Sequence, residues 1–526
     1  MSRPGFVLSV DERTPPLLMH EGEGFRLERL PLGTNVVYPP DSLPGIRNVD
    51  AAIHHAIHNP IGIEPLPELL KPGMRLTIVF DDLSLPLPPM QTPDVRQRII
   101  EQVLELAARA GVDDVELIAA NSLHRRMTPA ELKRTVGERV FRSFYPDQLR
   151  NHDAEDRDDL VELGKTKHGE VVELNRRAME SDLVVYVNIT LTAMSGGPKS
   201  VSVGLASYRS LRHHHNVHTL RHSRSFNDPP NSAMHHSYER MKDLIGEHVP
   251  VFQIETTLNN DTFPTSMGFL NKREWEWNLR DQASYLAVKR GNDLLPAKPR
   301  RKIWQSTAAP YGVTGVNAGV PSQVHPITLD NVHRQQLTEV PGGQADIAIF
   351  GLPYICPYNV NSIMNPILVM SLGLGYFFNL YRSKPIVREG GTAIFYHPVP
   401  HDFHPVHHPS YIDFFDEVLT QSTDPAVLET KYEEQFATDP WYIQLYRKSY
   451  AYHGVHPFYM WYWGAHALEH LGDVIFVGGN RRTTGRMGFR AASTLSDALE
   501  IASQTVGRSP SITYLHAPPL VMADVR

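Results

Sequence analysis

The chain has 526 residues, 41% hydrophobic and 21% charged, which is enough for two or three packed cores and excludes disordered and fibrous classes. Its 51 Lys and Arg against 58 Asp and Glu leave a net charge of -7, which argues against a general nucleic-acid binder and for a small-molecule ligand. A single cysteine, Cys356, excludes an intrachain disulfide and a multi-thiolate metal cage. With no signal-peptide core and no apolar run near the length of a membrane span, the expectation is a cytoplasmic protein without a membrane partner.

Up to about residue 70 the sequence is punctuated by Pro and Gly, with a short strand at Gly24 to Leu30 and an amphipathic piece at Ala51 to Ile57. Arg75 to Phe80 reads as a strand, Val95 to Ala110 as a helix stopped by Gly111, and Val115 to Ala120 as the next strand, together a parallel α/β unit. Thr128-Pro129-Ala130-Glu131 carries the signature of a helix start, so Ser122 to Met127 is the loop before it. Leu183 to Ile189 is another buried strand. Ala297 to about Pro321 reads as a hinge, after which Ala345 to Gly351, Asn365 to Leu380 and Gly391 to Tyr396 form a second strand, helix, strand block. Its apolar run from Pro366 to Phe378 is expected to be a buried helix. The His-, Pro- and aromatic-rich segment 397–463 is too long for an ordinary connection and reads as an insertion over a cleft. The expected fold is α/β, with two domains whose parallel-type sheets flank a cofactor cleft. They are an N-terminal domain, residues 1–300, rejoined by 485–526, and a C-terminal domain, residues 320–484.

Four unusual loops follow predicted strands: Asp81-Asp82-Leu83-Ser84, Ser122-Leu123-His124-Arg125, Ser195-Gly196-Gly197-Pro198-Lys199-Ser200, and the Pro353 to Asn365 stretch. In open α/β sheets ligands bind beyond the carboxyl ends of strands, so these loops point to one crevice. The Gly-Gly-Pro-Lys loop is not a phosphate loop, since proline puts no N–H before the lysine; by itself it reads equally as a Gly-Gly turn. The 27 histidines favour an enzyme. His213-His214-His215 follows the lysine loop, and imidazole suits nickel, copper, zinc and iron, although a histidine run alone is more often surface.

In order and spacing, Asp81-Asp82-Leu83-Ser84-Leu85-Pro86, Ser122-Leu123-His124-Arg125, Ser195-Gly196-Gly197-Pro198-Lys199 and His215-Asn216 resemble the nickel-pincer-nucleotide lactate racemases and their 2-hydroxyacid racemase and epimerase relatives. The resemblance extends through Asn227 to Met241, Phe252 to Asn259 and Asp346 to Asn365. It implies a racemase or epimerase acting on a 2-hydroxy acid or related secondary alcohol by transient hydride transfer. It further implies a nickel pincer mononucleotide joined covalently to Lys199, Ni(II) bound by His215, and His124 as the base for the substrate hydroxyl. Asp82, Ser84, Ser195, Gly196 and Gly197 would line the cofactor, and the partners would be a small hydroxy substrate and the cofactor-synthesis enzymes.

The departures from the family pattern fall on the substrate side. The family's second histidine is absent from Ile189-Thr190-Leu191, its arginine is replaced by Leu85, and its Gln-x-x-Lys is replaced by Asn361-Ser362-Ile363-Met364. Leu85, Asn361 and Met364 are therefore the substrate-side candidates, and a substrate other than lactate is expected. His152, His214, His218 and the histidines of 397–408 remain open as a replacement base. Two alternatives stand beside this reading. His466-Ala467-Leu468-Glu469-His470 matches the H-x-x-E-H pattern of inverted zinc peptidases or a plain structural helix, and the chain could be a cofactor-binding relative without turnover.

Overall fold

The computed structural model describes residues 3–526. The Arg75–Asp81 strand sits inside a six-stranded sheet, paired in parallel with Asp114–Ala120 on one side and Leu183–Thr190 on the other. Leu149–Asn151 and Val251–Leu258 continue the parallel run, and Val313–Gly319 closes one edge antiparallel. Leu183–Thr190 is buried along its whole length, as expected of a strand covered on both faces. The Val95–Arg109 helix starts where Asp94 accepts from the Arg96 N–H, and it buries Val95, Ile99, Ile100 and Val103 on one face. The helix after His124 forms with the capping box read from Thr128 and Glu131.

A second, seven-stranded sheet runs in the order Phe6–Ser9, Asn35–Tyr38, Ile512–Leu515, Ala345–Gly351, Val387–Tyr396, Asp473–Val477, Arg490–Ala492, parallel except at the Phe6–Ser9 edge. Two sequence expectations change here. Residues 485–526, expected to rejoin the first domain, instead place Ile512–Leu515 between Asn35–Tyr38 and Ala345–Gly351, and the first strands of the chain join that same sheet. Ile512–Leu515 is buried at all four positions, so it needs a neighbour on each edge and cover on each face, which the second sheet supplies. The expected hinge is likewise ordered, as the Ala297–Ser306 helix followed by the Val313–Gly319 edge strand.

The apolar run from Pro366 begins as an α-helix, Pro366–Met370, and continues as a π-helix, Ser371–Phe377, almost wholly buried. Among the described residues no helix is long and apolar enough to cross a membrane. The 397–463 segment packs helices Pro409–Asp416, Pro440–Lys448 and His456–Tyr462 on the second lobe and reaches the first. Tyr446 Oη donates to the Ser122 carbonyl at 2.7 Å, the His453 N–H donates to the Leu123 carbonyl at 3.2 Å, and Arg447 pairs with Asp153 at 2.9 Å. The insertion therefore grips the loop that carries His124.

Candidate active site

At the carboxyl ends of the Arg75, Asp114 and Leu183 strands lies a half-open cavity of about 120 Å³. It gathers most of the residues singled out from the sequence: Asp82, Ser84, Leu85, His124, Ser195, Gly196, Lys199 and His215. The second lobe closes it with Pro357, Tyr358, Tyr376 and Trp463.

His124 is held by Asp82, whose Oδ2 lies 2.8 Å from Nδ1. An ionised carboxylate only accepts, so Nδ1 carries a proton, and in the neutral ring Nε2 would present a lone pair. Burial would raise the Asp82 carboxyl, but the charge and hydrogen bond of His124, together with the Ser84 hydroxyl and N–H, outweigh it and hold Asp82 below the usual range. Asp82 and Ser84 thus orient the His124 ring, where the sequence reading expected them to line a cofactor. Their loop is fastened by buried Arg96, which donates to the Asp81 and Asp82 carbonyls at 2.7 and 2.6 Å and forms a two-pronged pair with Asp94. Asp81 faces inward and accepts from Asn188 Nδ2 at 2.8 Å, the Ile189 N–H at 2.7 Å and Tyr186 Oη at 3.2 Å. Its burial pushes the carboxyl up to about 6 despite those donors and Arg96.

The lysine loop needs its two glycines. Gly196 and Gly197 have φ of +94° and +61°, where a side chain is strained. A Cβ on Gly196 would meet Thr190 Oγ1 at 2.7 Å and Glu255 at 2.8 Å, and one on Gly197 would meet the His325 ring at 2.7 Å. Fully buried Glu255 accepts from the Gly197 N–H at 2.6 Å and lies 3.2 Å from His325 Nδ1. Gly197 therefore stands behind the cavity wall, while Gly196 and Ser195 form it. Lys199 opens the helix that follows. Its Nζ donates only to the Met194 carbonyl, at 3.2 Å, and has no carboxylate partner. Burial brings the amine down to about 8, opposed by the charge of Asp81.

His215 is buried, with Nδ1 2.7 Å from Nδ1 of His214. Burial first, then His214, Lys199 and His124, hold its imidazole neutral. One proton serves the two facing nitrogens, and no protein group hydrogen-bonds His215 Nε2. Its ring is packed between Tyr459 and Trp463, with centroids at 5.4 and 5.6 Å.

Two substrate-side candidates lie elsewhere. Asn361, at φ +53°, donates its Nδ2 to Glu131 at 2.8 Å, and Met364 lines a separate cavity with Tyr354 and His397. Leu85 alone of the three reaches the site. Of the replacement bases, His152 bonds the Ala206 carbonyl at 3.1 Å, His214 sits behind His215, His218 is on the surface, and His407 and His408 hold Ser362. None lines the cavity. The H-x-x-E-H motif is a structural helix, Ala465–His470: His466 Nε2 is 3.0 Å from Tyr381 Oη, His470 Nε2 bonds the Val387 carbonyl at 2.9 Å, and Glu469 is exposed. Among the described residues no three His, Cys, Asp or Glu side chains converge as a metal site. Sequence reasoning did not find Arg96, Glu255, His325, Tyr358 or Tyr376. The first three are ordinary polar residues whose role appears only when strands far apart in the chain are aligned.

Residues 24–228 match the lactate racemase N-terminal domain. The chain is 27% identical to the lactate racemase of Lactiplantibacillus plantarum over 169 residues, 31% of this chain and 37% of that protein. It is 26% identical to that of Thermoanaerobacterium thermosaccharolyticum over 167 residues, with the same coverage. The matched region thus spans little more than a third of these relatives' length. The structure of the lactate racemase apoprotein from T. thermosaccharolyticum superposes on 97% of this chain and 99% of its own, with a TM-score of 0.61 and 17% identity, so the two share a fold. Residues 24–228 therefore resemble the lactate racemase N-terminal domain, and the chain as a whole shares the fold of that apoprotein.

Proposed function

We propose that this chain is an isomerase of racemase or epimerase type, inverting a hydroxyl-bearing carbon beside His124 with a nickel pincer mononucleotide carried on Lys199. The observation that carries this reading is that three reactive groups line one cavity: Lys199, whose Nζ donates only to the Met194 carbonyl, and His215 and His124, whose Nε2 atoms have no hydrogen-bond partner among the described residues. Lys199 fits a covalent attachment, because an amine brought down to about 8 with no counter-ion is a usable nucleophile. His215 fits a fourth ligand to a metal whose other donors come from the cofactor, since its neutral imidazole is oriented by His214. When bound, that group would accept the substrate's α-hydrogen as hydride and give it back.

The chain's own share is proton handling and orientation. His124 Nε2 takes the hydroxyl proton as the carbon is oxidised, and the resulting imidazolium is stabilised by Asp82 at 2.8 Å. With Ile189, Thr190 and Leu191 buried where a second base is expected, and Thr190 Oγ1 committed to Asn188 at 2.8 Å, the same His124 returns the proton. With a single base, inversion at that carbon would require the substrate to present its opposite face to the cofactor.

The test is protein made in a cytoplasm that also contains the cofactor-synthesis enzymes. Intact mass should show one adduct on Lys199, with nickel in matching amount. An unmodified Lys199 peptide from fully active enzyme would overturn the reading. Adduct and nickel without turnover of any hydroxy compound would mark a cofactor-binding relative instead.

A further inference from the structure

The cavity's charges bear on what it accepts, and this inference rests on the function proposed above. Lys199 is the one Lys or Arg lining the cavity, and in the loaded enzyme it is used for attachment. The cations nearest in sequence to the base are engaged elsewhere. Buried Arg125 holds Glu131 at 2.6 Å and the Val360 carbonyl at 3.0 Å, and Arg126 donates to the Arg447 carbonyl at 2.5 Å. The charged groups that do face the cavity are carboxylates, Asp81 and Asp82. A substrate carboxylate would enter a site with two acids beside it and no free guanidinium or ammonium, giving up hydration without gaining a countercharge.

The remaining surface suits an uncharged, hydroxylated molecule. Tyr358 and Tyr376 present a hydroxyl pair, 2.8 Å apart, and Tyr376 stacks on Trp463 with centroids 5.8 Å apart. Ser122 and Ser195 add hydroxyls to the lining. Aromatic rings facing scattered donors and acceptors can hold a molecule with an apolar face and several hydroxyls. We infer that the substrate is an uncharged secondary alcohol of the polyol or sugar class, and that 2-hydroxy carboxylates are excluded by charge.

The test compares an aldonic acid with the alditol of the same skeleton on the holoenzyme. Binding is measured by calorimetry, and inversion by chiral chromatography. The alditol should bind at least tenfold more tightly than the acid. Leu85→Arg places a cation at the cavity edge and should raise affinity for the acid at least tenfold, while Leu85→Gln, of similar size without charge, should not. The acid binding the wild type as tightly as the alditol, or neither binding, would overturn the inference. Inversion of the acid with a submillimolar KM would overturn it while keeping the proposed function. Selective binding of the alditol without inversion of any compound would instead remove the proposed function and leave the charge argument standing.

Discussion

The two lobes meet the cavity on different terms. The first lobe delivers His124, Lys199 and Ser195 on loops held by buried polar networks, with Arg96 on two carbonyls and Glu255 on the Gly197 N–H. The second lobe delivers Tyr358, Tyr376 and Trp463, whose positions come mainly from ring packing. A network of charge-assisted bonds fixes individual atoms, which the proposed attachment and proton transfer would require. Packed rings fix only shape and polarity, so they can be exchanged without moving the chemistry. The match to the lactate racemase N-terminal domain, residues 24–228, covers the first-lobe loops and Leu85 and stops short of the second-lobe wall.

The largest effects should come from the first lobe. Lys199→Ala or Lys199→Arg removes the only amine in the cavity, and both the adduct and the nickel should vanish, as read by intact mass and metal analysis. Retained nickel without adduct would show that the second lobe, or His215 alone, binds metal, and the contrast between lobes would fail.

His124→Ala should leave adduct and nickel in place while turnover falls ~100-fold or more, the usual scale for a lost general base. Loss of nickel with it would make His124 a ligand. Asp82→Asn should cost less, ~10-fold or more, because the base stays but its tautomer and imidazolium are no longer supported. The accompanying sign is a move of the acid limb of the pH-rate profile to lower pH in Asp82→Asn, since without the carboxylate facing Nδ1 the imidazolium is less stable and the base is freed of its proton at lower pH. An unmoved profile would mean that Asp82 acts only on the shape of the loop.

Much of the first lobe is legible in the sequence. The alternation of strand and helix from Arg75, the Thr128 capping box and the glycine pair before Lys199 are local signals, and each reads directly onto the structure. What could not be read is non-local. Ile512–Leu515 carries no mark of which sheet it enters, because burial on both faces looks the same in either. Asn361 and Met364 align with substrate-binding positions but are drawn away by Glu131 and by a neighbouring cavity. The aromatic wall combines Tyr358, Tyr376 and Trp463, which lie up to a hundred residues apart and are indistinguishable in sequence from core.

The smallest effect tests Asp81, the buried acid in the cavity wall. Burial is the main cause that pushes Asp81 up to about 6, while the Ile189 N–H, Arg96 and Asn188 pull it back. The folded value lies above the ordinary carboxylate value near 3.9, so the native state binds this proton more tightly than the unfolded chain does. The stabilisation is complete below about pH 4 and is lost as pH rises through 6; a two-unit shift corresponds to roughly 3 kcal/mol at most. Asp81→Asn keeps a carbonyl for the Ile189 N–H but has no proton to lose. Measured on the chain without adduct, its Tm relative to wild type should therefore climb from pH 4 to 7 and level off above. The amide also places an NH2 among donors, a cost independent of pH, so the slope and not the offset is the readout. Asp82, with its carboxyl held low, contributes the opposite dependence, losing stability as pH falls, but it is present in both proteins and largely cancels in the difference. Parallel Tm curves across this range would mean that Asp81 is ionised throughout and that Arg96 and the three donors outweigh its burial.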